Sequence, residues 1–284
     1  MPLRDTAVGH RLDTITVLCD TRWLMAYAAG VPDERTELYA TDTDLCVHPL
    51  FPVAPEWQLL AGNRSLPRGM TPEEAKQGIH IGHDLIIARR VRPGESITVH
   101  AHIAAVARRA SGATQVTMFV ASDDAGDTVW RTRFTSLFLG VELEGEPSTE
   151  ATDWPPLPES VPTADPLASR QSFVRSIDAH VYSECARIWN PIHTDITAAR
   201  RAGLAAPILH GTATLARAIS IATDLADVPL AAVSRVACQF GSMVTPGSTL
   251  DVRLLAVNGN ALGFDVLDEG GRGAVSNATI HLRR

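Results

Sequence analysis

The sequence predicts an α+β protein built from two copies of one unit, and two observations carry this prediction. The first is a Pro-Gly turn followed by an alternating strand, which occurs from Pro93 to Val99 and again from Pro246 to Val252. After each of these strands come further β-rich runs broken by Gly, Asp and Asn turns. The second observation is a helical segment ahead of each strand block. Two copies of one long pattern indicate a duplication, since an array of short repeats would show many copies of a short period.

The helical segments differ between the two halves. In the second half the run PILHGTATLARAISIATDLA places apolar residues at helical spacing on most faces, which predicts a buried helix. In the first half the run HPLFPVAPEWQLLAG contains Pro49, Pro52 and Pro55, so the helix there is expected to be shorter. A helix followed by antiparallel strands favours a sheet wrapped around one central helix in each half. Two such units side by side could also share one continuous sheet.

A proline-rich segment separates the halves. Residues 143–166 hold six prolines, several acidic residues and few aliphatic ones, so they can form neither a helix nor a central strand. We therefore expect a first unit at 1–142, a linker at 143–167 and a second unit at 168–284.

Composition excludes several classes of protein. A chain of 284 residues with 45% hydrophobic and 20% charged residues is typical of a globular protein with two cores. The net charge of -7 argues against nucleic-acid binding, and no apolar run is long enough to span a membrane. The N-terminal segment lacks the apolar core of a secretory signal, so we expect a cytoplasmic protein. The four cysteines lie far apart and lack metal-ligand spacing, so we expect reduced thiols, no bound metal and no cofactor.

A polar corner in the second half has the residue types of an acid-base site. The run Asn190-Pro191-Ile192-His193 follows a helix expected from an N-cap at Asp178 to about Ala186. A second helix is expected in TDITAARRAGL, with Thr194 or Asp195 as its N-cap. His193 therefore lies in a short connection that Pro191 stiffens, and a histidine with a pKa near neutrality is a candidate general base.

A second candidate group lies at the start of the buried helix. The run Leu209-His210-Gly211-Thr212 places Gly211 in the first helical turn, where backbone N–H groups have no internal partner. Such groups can donate hydrogen bonds to an oxyanion, and glycine permits close approach. We expect His210 to order the turn and Gly211 to act through its backbone.

The runs NPIHTD, AARRAGL and PILHGTATLA resemble the type-2, (R)-specific enoyl-CoA hydratases, also called MaoC-like dehydratases. The resemblance is specific in the second half, whereas the first half matches in strand pattern and in the RPGE turn. It implies a tandem, or double, hot dog fold with a degenerate, acyl-binding first unit and the NPIH and HGT motifs in the second. In the family an Asp-x-Asn-Pro-x-His motif holds a water molecule and adds it across an enoyl thioester. The resemblance assigns His193, Asn190 and Gly211 to catalysis.

The family's aspartate is absent from this sequence. Its position is occupied by Ile188, which cannot transfer a proton, and the preceding Ser-Gly reads Ala186-Arg187. Three explanations are open: His193 works alone, a carboxylate comes from elsewhere, or the reaction has changed. Glu184 lies one helical turn before Ile188, whereas Asp195 is better explained as an N-cap. First-half histidines that could reach across the interface are His48, His80 and His83.

The resemblance implies a substrate that is an acyl-CoA or acyl-carrier-protein thioester. Candidate substrate contacts around the corner are Ile188, Trp189, His210, Thr212, Arg200 and Arg201. The two arginines could bind a phosphorylated ligand or be solvated surface charges. Trp57, Trp189 and Tyr182 could line an acyl tunnel or pack in the core.

The expected reaction interconverts trans-2-enoyl and (R)-3-hydroxyacyl thioesters. Thioester hydrolysis, addition of another nucleophile and acyl-thioester binding without catalysis are the alternatives. A homodimer is compatible with the sequence.

Overall fold

The computed structural model describes residues 2–61, 70–71, 75, 78–156 and 165–283. The α-helices are α1 (Thr21–Gly30), α2 (Val53–Ala61), α3 (Asp178–Ala186), α4 (Ile196–Arg201) and α5 (Gly211–Leu225). The strands are β1 (Leu3–Arg4), β2 (Ile15–Cys19), β3 (Gly78–Ile87), β4 (Glu95–Arg109), β5 (Gly112–Ser122), β6 (Thr128–Leu139), β7 (Leu143–Glu144), β8 (Ser148–Thr149), β9 (Ala168–Phe173), β10 (Val233–Phe240), β11 (Thr249–Asn258), β12 (Ala261–Leu267) and β13 (Gly273–Leu282). None of the helices in these ranges is long and apolar enough to cross a membrane.

A single antiparallel sheet of eleven strands runs through both halves. Its order is β2-β4-β5-β6-β3-β10-β13-β12-β11-β9, and β8 adds to β4. The two expected sheets are joined where β3 pairs with β10, with Ile86 opposite Arg235 and Gly82 opposite Gln239. The seam therefore places side chains of the first half beside the central helix of the second half.

The central helix of the first half is shorter than that of the second half, as the sequence predicts. Helix α5 is buried along most of its length and packs on β11, β12 and β13, where alanines such as Ala213 and Ala216 allow close approach. Helix α2 is shorter, and Pro55 lies in its first turn, where a missing N–H removes no helical hydrogen bond. One apolar core contains residues from both helices and from both halves of the sheet.

A buried ion pair anchors α3 to α5. Asp178 was expected as the N-cap of α3, but Ile177 is the N-cap and Asp178 is the first helical residue. Its carboxylate accepts hydrogen bonds from the backbone N–H of Arg175 (2.9 Å) and from the guanidinium of Arg217, which is 4% exposed. The expectation was wrong because the charge partner, Arg217, lies on another helix and is invisible to local sequence rules.

Helices α1 and α3 pack on each other at the junction of the halves. A Cβ atom on Gly30 would lie 2.7 Å from Cβ of Cys185, so this contact requires glycine. The hydroxyls of Tyr27 and Tyr182 are 3.3 Å apart. The Tyr27 hydroxyl donates to the carbonyl of Leu50, whereas that of Tyr182 donates to Oγ1 of Thr212. The two halves thus present matching contacts to their junction.

The proline-rich segment packs against the sheet where the structure describes it. Trp154 is 9% exposed and donates from Nε1 to Asp84 (2.8 Å), a carboxylate that also pairs with Arg235 of the second half. Residues 148 and 149 form β8. Residues 157–164 of the expected linker lie outside the described part. Residues 148 and 149 thus extend the sheet, and Trp154 packs on its outer face.

Candidate functional site

The corner at the end of α3 is held by local hydrogen bonds. Arg187 ends the helix in the left-handed region (φ 58°), and its guanidinium lies 4.2 Å from the ring centre of Trp23. Asn190 caps a short 3₁₀ helix, Pro191–His193, by accepting from the N–H of Ile192. This places His193 between two helices, as the sequence predicts.

The helix that follows the corner has the expected start. Asp195 caps α4 by accepting from the N–H groups of Thr197 (2.7 Å) and Ala198 (3.3 Å). The preference for Asp195 as an N-cap over a catalytic carboxylate therefore agrees with its hydrogen bonds. Gly203 follows the helix with φ +82°, which favours glycine at this position.

His193 is oriented for use as a base. Its side chain is buried, and Nδ1 lies 2.9 Å from the carbonyl oxygen of Ile208. Because a carbonyl only accepts, Nδ1 carries the hydrogen and Nε2 carries the lone pair. Burial lowers the pKa of His193 to about 4, against a smaller opposing effect of the bond to Ile208. His193 is therefore neutral near pH 7, with Nε2 able to accept a proton.

His210 packs face to face on His193. The ring centroids are 3.6 Å apart and the planes differ by 25°. Nε2 of His210 lies 3.2 Å from Oγ of Ser183 and 3.3 Å from the carbonyl oxygen of Ile188, so it donates a shared hydrogen. The Ser183 hydroxyl itself donates to Ala179 (2.8 Å). His210 thus ties α3, the corner and the start of α5 together, in agreement with the expectation that it orders the turn.

Gly211 is the first residue of α5. The first N–H groups of a helix have no intrahelical acceptor and lie at the positive end of the helix dipole. A Cβ atom at Gly211 would lie 3.2 Å from the ring of Phe240, so a larger residue would displace that ring. Since Gly211 follows His210 directly, the structure brings the corner histidine and the helix N-terminus to one place.

Ile188 occupies the position in which the family has an aspartate. Ile188 is 4% exposed and belongs to the apolar core, where its N–H donates to the carbonyl of Ser183 (3.0 Å). Glu184 is exposed, so it supplies no buried carboxylate beside Ile188. In the first half, the N–H of Asp33 donates the corresponding hydrogen bond to a carbonyl of α1. The carboxylate of Asp33 accepts a hydrogen bond from the backbone N–H of Arg35. The carboxylate missing from the second half is therefore present at the matching position of the first.

A comparison with protein families matches residues 159–276 to the MaoC like domain. These residues are therefore similar in sequence to MaoC-like domains. The match begins in the proline-rich segment and includes the corner, α5 and most of the second-half strands.

Proteins similar to the whole chain include the peroxisomal multifunctional enzyme type 2 of Drosophila melanogaster. It is 26% identical over 275 residues, covering 93% of this chain and 46% of the relative. A structure of that protein matches with a TM-score of 0.80 and 24% identity, covering 96% of this chain and 48% of the other. This chain thus spans about half the length of the relative.

Two further solved structures match nearly the full length of this chain. A MaoC-like dehydratase from Phytophthora capsici has a TM-score of 0.85 and 21% identity, covering 99% of this chain and 98% of the other. A Mycobacterium tuberculosis protein described as a double hot dog fold has a TM-score of 0.61 and 13% identity, covering 96% and 95%. The predicted α+β hot dog fold is confirmed.

The predicted substrate contacts are distributed unevenly around the corner. His210, Ile188 and the half-buried Thr212 lie together at the start of α5. Trp189 is 57% exposed. Tyr182 is fully buried and uses its hydroxyl within the protein, as a core residue does. Two candidates, Arg200 and Arg201, are exposed in the last turn of α4.

Two first-half histidines, His48 and His80, lie near different parts of α5. Nε2 of His48 lies 3.2 Å from Oγ of Ser220, which is about 13 Å along the helix axis from Gly211. His80 instead lies 4.6 Å, centre to centre, from Phe240, the ring that contacts Gly211. His80 thus reaches the neighbourhood of the corner, whereas His48 does not.

Sequence reasoning missed three residues of the site. Ser183 and Ile208 fix the hydrogens of the two stacked histidines, and Phe240 packs on Gly211. Ser183 acts through its hydroxyl and Ile208 through its backbone carbonyl, so neither residue belongs to a recognisable sequence motif. Phe240 ends a β-rich run and has the residue type of any core position.

Proposed function

We propose that this protein interconverts trans-2-enoyl and (R)-3-hydroxyacyl thioesters carried on CoA or an acyl carrier protein. The observation that carries the proposal is the neutral His193 beside the N-terminal turn of α5, with an Nε2 lone pair that no described residue engages. The family of the MaoC-like domain and the dehydratase name of one structural relative support the same class of reaction.

Hydration would use these groups in one sequence. The thioester carbonyl accepts a hydrogen bond from the N–H of Gly211, which stabilises the enolate that forms when water adds. Asn190 uses Oδ1 to cap the 3₁₀ helix, so its amide nitrogen is the group left to hold the water. Nε2 of His193 takes one proton from this water as its oxygen bonds to the β-carbon. The imidazolium then returns the proton to the α-carbon, and dehydration is the reverse.

The absence of a carboxylate at Ile188 lowers the expected rate. An aspartate there would stabilise the imidazolium that forms during the reaction. Without it, burial outweighs the opposing effect of the hydrogen bond to Ile208 and lowers the pKa of His193 to about 4, which makes the imidazole a weak base. We therefore expect slow hydration of simple straight-chain enoyl-CoA.

A non-catalytic acyl-thioester binding protein is the second candidate. The observation that favours it is Ile188 itself, since it is packed in the apolar core at the position of an acidic group. Hydrolysis of the thioester would use the same Gly211 N–H and differs in its product, a free thiol.

One assay separates these functions. Hydration of a short trans-2-enoyl-CoA is followed by loss of the enoyl absorbance, and thiol release is followed in parallel. Replacement of His193 by Ala should lower hydration by about 100-fold or more. His100→Ala, at an exposed strand position of the first half, is the matched control and should leave the rate unchanged. Hydration that survives in His193→Ala would remove this residue from the mechanism.

We further propose a division into units at 1–142 and 168–284 with a linker at 143–167, and we assign acyl binding to the first unit. We also propose a homodimer and a cytoplasmic location, although one similar protein is named as peroxisomal.

A further inference from the structure

A buried histidine in the first half makes no hydrogen bond to any described residue. His83 is 2% exposed, and both Nδ1 and Nε2 are buried without a partner in the described part of the chain. A buried polar group without a partner costs about 1–3 kcal/mol, so most such groups in proteins are paired. His83 thus differs from His48, equally buried, whose two nitrogens bond to Ser220 and to the N–H of Leu50.

His83 faces the helix side of the sheet. Its neighbour Asp84 points to the opposite face, where it binds Trp154. On β3, His83 stands between its cross-strand partners Phe134 on β6 and Cys238 on β10. Cys238 belongs to the apolar core shared by α2 and α5, and Phe134 packs against that core. The unpartnered imidazole therefore projects into the space between the sheet and the second-half helix.

A bulge in β3 brings a second histidine to the same face. The pairing of β3 with β6 shifts register between His80 and Gly82. The rings of His80 and His83 are consequently 5.4 Å apart, although residues three apart on a regular strand point to opposite faces. Nε2 of His80 donates to the carbonyl of Gly82 (3.0 Å), so its Nδ1 carries a lone pair.

A chain of ring contacts leads from these histidines to the corner. His80 stacks on Phe134 with a centroid separation of 3.6 Å and lies 4.6 Å from Phe240. Phe240 packs against Gly211, where the thioester carbonyl is placed by the proposed function. His80 and His83 therefore lie beyond Phe240 as seen from the reacting carbons.

A cavity in the first half supports this placement of His80 relative to Phe240. The Pro-Gly turns at Pro93 and Pro246 align β3 with β10, so that Val233 corresponds to His80 and Ile87 to Phe240. In the first half a cavity lies beside the corresponding helix start. It is lined, among others, by His48, Pro49, Ile87 and Val233, of which Ile87 and Val233 are the counterparts of Phe240 and His80. The positions of Phe240 and His80 therefore border a cavity in the first half.

We propose that His80 and His83 form a polar subsite that binds an uncharged oxygen, a hydroxyl or a carbonyl, on the acyl chain of the substrate. This inference rests on the proposed function and names the class of thioester that the site prefers. One oxygen at about 2.8 Å from a nitrogen of each ring can span the 5.4 Å between the centroids. The described side chains that border the two rings are Phe134, Phe240 and Cys238, which carry no charge. A carboxylate bound among them would be buried without a charge partner. A hydroxyl can donate to Nδ1 of His80 and accept from His83.

Binding of unreactive ligands tests the subsite. Straight-chain S-alkyl-CoA thioethers are compared with isomers of the same length that carry one hydroxyl, moved stepwise along the chain, by isothermal titration calorimetry. The best hydroxylated isomer should bind wild-type protein at least about tenfold more tightly than the plain chain, the worth of one good hydrogen bond. In His83→Leu this ratio should fall close to one, and in His80→Phe, which keeps the stack on Phe134, it should fall in the same direction.

Thermal unfolding of the ligand-free protein supplies a second readout. His83→Leu removes a group that the described residues leave unpaired, so its melting temperature should equal or exceed that of the wild type. His48→Leu is the matched control at equal burial, and it should lower the melting temperature while keeping the preference for the hydroxylated ligand. If His83→Leu lowers the melting temperature as much as His48→Leu, His83 is a structural residue and the subsite is refuted.

The outcomes separate this inference from the proposed function. Equal affinity for every hydroxylated isomer and the plain chain would refute the subsite and leave the hydratase proposal standing. Absence of binding by all the thioethers would refute an acyl-thioester site, and the subsite with it.

Discussion

The imidazole of His193 lies stacked on that of His210, with the ring centroids 3.6 Å apart. Burial lowers the pKa of both rings, and in His210 the proximity of His193 lowers it further. A proton on one ring would place its charge against the face of the other, so both rings are neutral in the resting protein. The stack therefore keeps His193 in the form that accepts a proton.

Ile188→Asp should raise hydration of a short enoyl-CoA. A carboxylate beside His193 would stabilise the imidazolium, so the pKa of His193 rises and the acid limb of the pH-rate profile moves up by about one to three pH units. The rate above that limb should increase about tenfold or more, within the range that positioned acid-base groups supply. Ile188→Asn, similar in size and uncharged, is the control and should not move the limb. An unchanged pH-rate profile in Ile188→Asp would show that a side chain at position 188 does not influence the pKa of His193.

Asp178→Asn should destabilise the protein by about 3–5 kcal/mol, because it leaves the buried Arg217 without its charge partner. Burial alone would raise the pKa of Asp178, but the N–H of Arg175 and the charge of Arg217 hold it below its usual value. The stability from this carboxylate is therefore present above the unfolded pKa near 3.8 and is lost as the pH falls through the lower folded value. Urea unfolding measures the change, and Asp224→Asn, in an exposed pair with Arg170, should show little. Equal effects of the two variants would contradict a special role for the buried pair.

Glu56 should make the protein less stable as the pH rises. Burial raises its pKa from 4.5 to about 8, although Thr132 and Trp130 donate hydrogen bonds to it. Between these values the folded state holds a proton that the unfolded state releases, so stability falls from about pH 4.5 to about pH 8.

Glu56→Gln keeps the acceptor oxygen and removes the titration. The variant should therefore gain a few kcal/mol relative to the wild type between about pH 6 and about pH 9 in urea unfolding. Glu34→Gln, at an exposed position, is the control. A constant difference between wild type and Glu56→Gln across this range would mean that Glu56 is already charged in the folded protein.

Gly211→Ala should reduce turnover more than stability. The added Cβ would lie 3.2 Å from Phe240, so the ring must shift by a few tenths of an ångström next to the proposed carbonyl site. We expect a fall of about tenfold or more in kcat/KM, since preorganised donors lose effect when displaced. Gly273→Ala, where the backbone is likewise not left-handed and an added Cβ meets nothing within 4 Å, is the control and should leave the rate unchanged. A normal rate in Gly211→Ala would place the oxyanion contact elsewhere.

Local sequence signals predict the helices and caps of the site, but they do not predict the contacts between them. Asp195 caps α4 and Gly211 opens α5 as predicted, because capping and turn preferences act over a few residues. The join of β3 to β10, the stack of His193 on His210 and the pairing of Asp178 with Arg217 link residues distant in sequence. Periodicity and motif spacing contain no information on such pairs. The depth of Ile188 in the core likewise follows from how α3 packs.

The pH dependence of kcat/KM for a short trans-2-enoyl-CoA is the most direct test of the account. With His193 as the base, hydration should rise with pH through an acid limb near the His193 pKa of about 4 and stay level through neutrality. The limb should disappear together with most of the rate in His193→Ala. Absence of hydration at every pH, or release of free thiol in place of hydration, would contradict the assignment of this protein as an enoyl-thioester hydratase.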